Sequence, residues 1–243
     1  MSVATTIEEY VANQPAYRRK RNFIRNILIR GLGFKVLWRV TVTGLEHVPE
    51  SGPTILMMNH ISLIDPILCM GAITHRYVVP MAKVELAKNP IMKMLIDAWG
   101  AYYVNRGEVD RQALVNSIEL AKSGTLILIA PEGTRHPEGL SRPKEGLTYV
   151  ATKSDAVIVP AAISGAADWK QKLFRLQRPH IHVNFGRAFR FKTEGRRRIP
   201  RDEMNMMTEE AMYQLALAVV DKSKRGVYSD IENATTNLIE FVD

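Results

Sequence analysis

Two uninterrupted apolar runs constrain the fold more than any other feature. Residues 125–130, Thr-Leu-Ile-Leu-Ile-Ala, lie between Gly124 and Pro131, and residues 156–163 read Ala-Val-Ile-Val-Pro-Ala-Ala-Ile. Neither alternates polar with apolar positions. Each therefore reads as a strand buried on both faces, and such strands belong to parallel sheets covered by helices. A third short run, Thr54-Ile55-Leu56-Met57-Met58, fits the same pattern. Residues 40–45, 77–82 and 101–104 are further strand-like stretches, and residues 180–185 alternate as a less buried strand does. Between them, residues 85–98, 109–123 and 202–224 carry helical spacing, the first interrupted at Pro90. The expectation is an α/β fold: a single domain with a largely parallel sheet flanked by helices.

A hydrophobic share of 46% with 24% charged residues is the balance of a soluble globular protein. The lone cysteine, Cys69, excludes an internal disulfide and a cysteine-rich metal site. No stretch reaches the roughly 18 uncharged apolar residues of a spanning helix. Residues 1–15 carry Glu8 and Glu9 where a signal peptide has its apolar segment. These readings predict a protein that is neither exported by that route nor threaded through a bilayer. The net charge of +8 points to anionic company: a phosphorylated small molecule, an acidic membrane surface or nucleic acid.

From Arg18 the chain is basic and amphipathic. Phe23, Ile24, Ile27, Leu28 and Leu32 fall on one helical face, with Arg21, Asn22, Arg25, Asn26 and Arg30 on the other and Trp38 near the end. Such a helix fits an interfacial membrane anchor; it also fits a surface helix packing its apolar face on the domain. The aromatics do not interleave with the charges as stacking on nucleic acid requires. The expected division is an N-terminal segment, residues 1–38, preceding a domain of residues 39–243.

The polar residues that follow the predicted strands are the functional signal. After residues 54–58 come Asn59-His60-Ile61-Ser62-Leu63-Ile64-Asp65-Pro66. Asp65 suits a helix N-cap and Pro66 the first helical position. His60 and Asp65 can meet only if the chain bends between them, since residues five apart on a helix diverge. One Asp65 oxygen is expected on the helix cap and the other on His60. Arg106 follows residues 101–104, and Glu132, Gly133, Thr134 and Arg135 follow the 125–130 run. In an open parallel sheet these ends share one edge, where ligands bind. The set suits acyl or hydrolytic transfer to a phosphate-bearing partner: His60 as base, Asp65 orienting it, the guanidinium forks gripping phosphate. Ser62 lacks the Gly-x-Ser-x-Gly elbow of a covalent nucleophile, and no P-loop or Gly-x-Gly-x-x-Gly occurs. His180 and His182 could hold a metal with a carboxylate, although alternate strand positions more often serve packing. Residues 137–144 read as a mobile loop.

Asn59-His60-x4-Asp65, Gly100-Ala-Tyr-Tyr-Val-Asn-Arg106, Pro131-Glu132-Gly133-Thr134-Arg135 and Val159-Pro160 resemble the four ordered blocks of the glycerolipid acyltransferases. Among these the chain is most similar to bacterial 1-acyl-glycerol-3-phosphate acyltransferases. Residues 42–46, Val48-Pro49 and Lys144-x-Gly146 fit as well, so the resemblance spans roughly residues 36–190. It implies that His60 is the general base and Asp65 its orienting acid. It also implies direct attack of a glycerol hydroxyl on an acyl thioester, from acyl-CoA or acyl-carrier protein. Arg106, Glu132, Gly133, Thr134 and Arg135 would bind the glycerol phosphate, with Lys83 and Lys144 as further phosphate ligands on charge and position. Val159-Pro160 would shape the acyl pocket. Neither cofactor nor metal enters this scheme. The implied product is phosphatidic acid, made at the cytoplasmic face of the membrane by a peripheral enzyme with lysophosphatidic acid as acceptor. Other acceptors, such as glycerol-3-phosphate, another lysophospholipid or a lyso-aminolipid, fit the same blocks, as does a lipid-binding relative without catalysis. The sequence departs from the family pattern at Tyr103, Ala130 and His136, which leaves the charged positions intact.

Overall fold

The computed structural model describes residues 6–104, 111–196 and 198–242. Its helices are α1 (Ile7–Ala12), α2 (Arg18–Phe23), α3 (Asp65–Ala72), α4 (Pro90–Trp99), α5 (Arg111–Lys122), α6 (Gly146–Ser154), α7 (Trp169–Phe174) and α8 (Arg201–Ala218). The strands are β1 (Arg39–Thr43), β2 (Thr54–Met58), β3 (Val78–Lys83), β4 (Tyr102–Val104), β5 (Leu126–Ile129), β6 (Val157–Ser164), β7 (His180–Phe185), β8 (Phe189–Phe191) and β9 (Ile239–Phe241). They form one sheet in the order β1-β7-β6-β2-β5-β3-β4, with β8 beside β6 and β9 beside β8.

The apolar runs occupy the centre, as expected: β2 lies between β5 and β6, all three parallel. Alternate β2 side chains feed two cores. Ile55 and Met57 join α5, α6 and α8 on one face; Leu56 and Met58 join α3 and the N-terminal helix on the other. Fully burying one such side chain contributes about 1.5–3 kcal/mol, so β2 is anchored from both sides. β3 and β4 run with β5, so β2, β3, β4, β5 and β6 present their carboxyl ends at one edge. β7 pairs antiparallel with β6, which turns β1 and β7 the opposite way.

The N-terminal helix turns most of its apolar row outward instead of packing it on the domain, and it is not an α-helix throughout. After α2 the chain continues as a π-helix over Ile24–Leu37, and the Trp38 N–H donates to Gly33 O, five residues back, at 2.8 Å. Bonding five residues apart moves each face forward by four or five positions per turn instead of three or four. Arg21, Arg25, Ile29 and Gly33 consequently point inward, while Phe23, Ile27, Leu32 and Val36 are 59, 55, 49 and 57% exposed. The buried guanidiniums have a physical reason to be there. Arg21 Nε donates to Trp99 O at 2.6 Å, at the C-terminal end of α4. Arg30 Nη1 donates to Gly71 O at 2.8 Å, and Arg25 Nη1 reaches Ile73 O and Arg76 O, all near the end of α3. Helix C-terminal carbonyls lack intrahelical partners and carry the negative end of the dipole, so cations suit them.

Two other expectations change. The last helix stops at Ala218; Val219 turns extended, and Lys222 to Lys224 form a separate short turn held by Asp221. The loop 137–144 is tied down rather than loose. Leu140 is 3% exposed and exchanges backbone bonds with Lys224 O and the Val227 N–H, at 3.1 Å each.

Candidate active site

The site is built at the carboxyl end of β2. Asn59 is buried, and its side-chain amide brackets the Ile163 backbone: Nδ2 donates to Ile163 O at 2.9 Å, and the Ile163 N–H donates to Oδ1 at 2.7 Å. This fastens β2 to β6 just where the chain turns away. His60 follows, with both sides of its peptide engaged. Its N–H donates to Glu132 Oε2 at 3.0 Å, and its carbonyl accepts the His136 N–H at 2.6 Å. The loop after β2 is thereby stitched to the loop after β5.

His60 Nδ1 and Asp65 Oδ2 lie 2.9 Å apart, so the chain makes the bend that the spacing demands. The division of oxygens expected for Asp65 does not occur. Oδ2 accepts from His60, from the Ile61 N–H at 2.7 Å and from the Ser62 N–H at 2.6 Å, while Oδ1 is buried without a partner. Nor is Asp65 the N-cap. Ile64 holds that position, Asp65 is the first helical residue, and the carboxylate reaches back over its own loop. Ser62 therefore contributes through its backbone amide. Burial pushes the Asp65 carboxyl above its ordinary range, against the pull of His60 and of the Ser62 and Ile61 amides. Three donors on Oδ2 require an acceptor there, which assigns the proton of the shared bond to Nδ1 and leaves the Nε2 lone pair outward. The His60 side chain is 12% exposed, and among the described residues nothing bonds to Nε2.

Glu132, expected to help bind the glycerol phosphate head, turns to the backbone. It is 4% exposed, with Oε2 on the His60 N–H and Oε1 on the Ser141 N–H at 2.9 Å. Both oxygens accept from backbone N–H groups. Burial raises this carboxyl too, opposed by the Ser141 and His60 amides. Glu132 is a positioning residue for the histidine loop.

Around this pair lie the expected anion ligands. Gly133 sits at φ +73°, a left-handed conformation that favours glycine, and the Lys144 side chain lies across it, its Cε 2.9 Å from where a Cβ would stand. Lys144 is held by its N–H to Pro131 O at 2.8 Å, and its ammonium has no polar partner among the described residues. Arg135 is exposed and likewise unpartnered. Thr134 Oγ1 contacts His136 Nε2 at 3.0 Å, which ties the departure at 136 to the turn itself. Lys83 is farther off: Leu128 is level with both Leu56 and Pro80, which puts Lys83 level with Asn59. It is two strands across, about 10 Å by ordinary strand spacing. Arg106 lies outside the described residues.

Beside Gly133 and Lys144 opens an apolar crevice of about 120 Å³, walled by Met81, Leu114, Ile129 and Leu147. Val159, by contrast, is 0% exposed inside β6 and lines no opening there. The His180 and His182 rings lie tilted against each other on β7, with His180 Nε2 at 3.0 Å from Thr41 Oγ1. Among the described residues no cluster of three or more His, Cys, Asp or Glu side chains has metal-binding geometry. The backbone-holding roles of Asn59 and Glu132 escaped sequence reasoning, because their partners at Ile163 and His60 lie 104 and 72 residues away.

Comparisons with known proteins bear on this geometry. The family model described as Acyltransferase matches residues 39–164. A 1-acyl-sn-glycerol-3-phosphate acyltransferase of Borreliella burgdorferi is 31% identical over 128 residues, 51% of this chain and 51% of that protein. One of Bacillus subtilis is 28% identical over 132 residues, 54% of this chain and 66% of that protein. The matched segment spans about half the length of the first curated relatives. The crystal structure of the 1-acyl-sn-glycerophosphate acyltransferase PlsC from Thermotoga maritima superposes with a TM-score of 0.58 at 24% identity. It covers 82% of this chain and 78% of that one, a likeness of fold. With a family match over residues 39–164, more than half of its 243 residues, the chain belongs to the acyltransferase family.

Proposed function

We propose that this protein transfers an acyl group from a thioester to the free hydroxyl of 1-acyl-glycerol-3-phosphate, yielding phosphatidic acid. The observation that carries the reading is the His60–Asp65 pair, its Nε2 without a partner among the described residues, on a loop bonded to the turn that carries Arg135 and its unpartnered cation. The acceptor hydroxyl gives its proton to His60 Nε2 as its oxygen attacks the thioester carbonyl. The carbon–sulfur bond breaks, and the thiolate takes the proton back from the imidazolium. Asp65 holds the tautomer and offsets the imidazolium charge. Arg135 and Lys144, with the Gly133 and Thr134 turn, bind the phosphate; Lys83 widens the anionic site, and Arg106 joins it on the sequence pattern alone. The crevice beside Gly133 receives apolar chain. The donor is acyl-CoA or acyl-carrier protein, and nucleic acid has no part in the reading.

The N-terminal helix supports a location at a membrane surface. Among the described residues no helix is long and apolar enough to cross a membrane. The outward row of Phe23, Ile27, Leu32 and Val36 suits shallow insertion, with Arg18, Arg19 and Lys20 exposed beside it for anionic headgroups. Peripheral attachment on the cytoplasmic face brings lysolipid and a soluble thioester to the same cleft. The domain division at residue 38 enters this proposal as anchor and catalytic unit.

The test is acceptor-dependent thiol release from acyl-CoA or acyl-carrier protein with solubilised lysophosphatidic acid. His60→Ala should lower kcat on the order of a thousandfold with lysolipid binding unchanged. Arg135→Ala should act mainly on the acceptor KM. A near wild-type rate for His60→Ala would discard the proposed base. Absence of thiol release with every lysolipid would discard the activity. Replacing Ile27 and Leu32 by serine should abolish co-sedimentation with anionic vesicles; unchanged sedimentation would refute the anchor.

A further inference from the structure

A cavity of about 550 Å³ opens between α6 and the start of α8, with the chain before α8 as its third wall. It lies outside the site described above, yet it starts at Glu145, the residue after Lys144. Four cations line it: Lys153, Arg196, Arg198 and Arg201. Carboxylates hold two of them in place. Glu203 takes both Nη atoms of Arg196, at 2.8 and 2.6 Å, and exposed Glu194 stands 3.9 Å from its Nε. Glu145 Oε1 takes Arg201 Nε and Nη2, at 3.2 and 2.7 Å. Arg198 is exposed with no polar partner among the described residues, and Arg201 Nη1 is likewise unspent. The ring of Tyr149 forms a flat wall, 38% exposed, with Lys153 Nζ 6.0 Å from its centroid.

An aromatic face next to unspent guanidinium donors is what a nucleotide requires: a platform for the base and forks for its phosphates. The volume falls within the range of small-molecule sites, about 300–1,000 Å³. A carrier protein would instead need a broad surface patch. The reach is right as well. Nine residues of α6 rise about 13 Å, so the far end of the cavity lies within the span of a long flexible arm from the turn that carries Gly133 and Lys144.

We propose that this cavity seats the adenosine-phosphate end of an acyl-CoA donor, with Tyr149 against the base and Arg198 and Arg201 on the phosphates. The inference rests on the thioester reading above and selects acyl-CoA as the donor.

The test separates the two. Adenosine 3′,5′-bisphosphate is titrated calorimetrically into the full chain and into Arg198→Ala and Arg198→Glu, at an exposed position without a polar partner among the described residues. Each variant should weaken binding at least about tenfold, the scale of one lost charge-assisted hydrogen bond. Their KM for acyl-CoA should rise by a similar factor with kcat unchanged, and rates with an acyl-pantetheine should not move. Absence of bisphosphate binding, or binding indifferent to both variants or matched by inorganic phosphate, overturns the proposal. So does a loss confined to acyl-carrier protein as donor. If the bisphosphate binds as expected while no donor supports thiol release, the nucleotide site stands and the transfer reading falls.

Discussion

The molecule buries charge in two places, and it does so in opposite ways. Around His60, two carboxylates are buried and every donor they receive is an N–H: the Ile61, Ser62, His60 and Ser141 amides and the His60 ring. Under the N-terminal helix, guanidiniums are buried and nearly every acceptor is a backbone carbonyl at the end of α3 or α4. Acids gather the free amides of loops; bases gather the free carbonyls of helix ends. The result differs in kind. The carboxylates hold one ring rigid with a nitrogen facing outward, whereas the guanidiniums turn a whole helix so that its apolar row faces outward.

The sharpest way to break this comparison is Asp65→Ala. It strands three donors that now share Oδ2, and stability should fall by about 3 kcal/mol or more, read from urea unfolding. A loss below 1 kcal/mol would show that water replaces the carboxylate and that the loop does not depend on it. Arg21→Ala strands the acceptors at Trp99 and Gly100, carbonyls beside a helix end that water reaches more readily; about 1–3 kcal/mol is expected, with kcat per folded molecule unchanged. The smallest effect is a pH dependence. Burial raises the Glu132 carboxyl, so its contribution to stability is fully present below the ordinary glutamate value and is lost as pH rises through the raised one. The stability difference between wild type and Glu132→Gln should therefore shift against wild type from acidic to neutral pH. A flat difference would mean the two amides cancel the burial.

What could be read in advance follows the same divide. β2, β5 and β6 were legible because a strand buried on both faces leaves a continuous apolar run that no helix contradicts. The meeting of His60 and Asp65 was legible from spacing, but its details were not. A capping role is the local default for an aspartate before proline, and only the fold of the loop shows the carboxylate reaching backwards. In the N-terminal helix the apolar row of Phe23, Ile27, Leu28 and Leu32 was legible, but the burial of arginine was not: a 3.6-residue wheel sets Arg25 on the solvated face, while bonding five residues apart buries it beneath Tyr77, 4.7 Å from its ring centroid. α6 was not anticipated because its buried positions, Leu147, Thr148, Val150, Ala151 and Ser154, include two hydroxyls that mask the apolar stripe.

The peptide of His60 is gripped on both its N–H and its carbonyl, and Asn59 just before it is welded to β6. A segment so held cannot act as a hinge. The orientation of the imidazole is settled once, during folding, and is not rebuilt at each turnover. Any gate that admits a long lipid chain has to swing on some other part of the rim, past a fixed base.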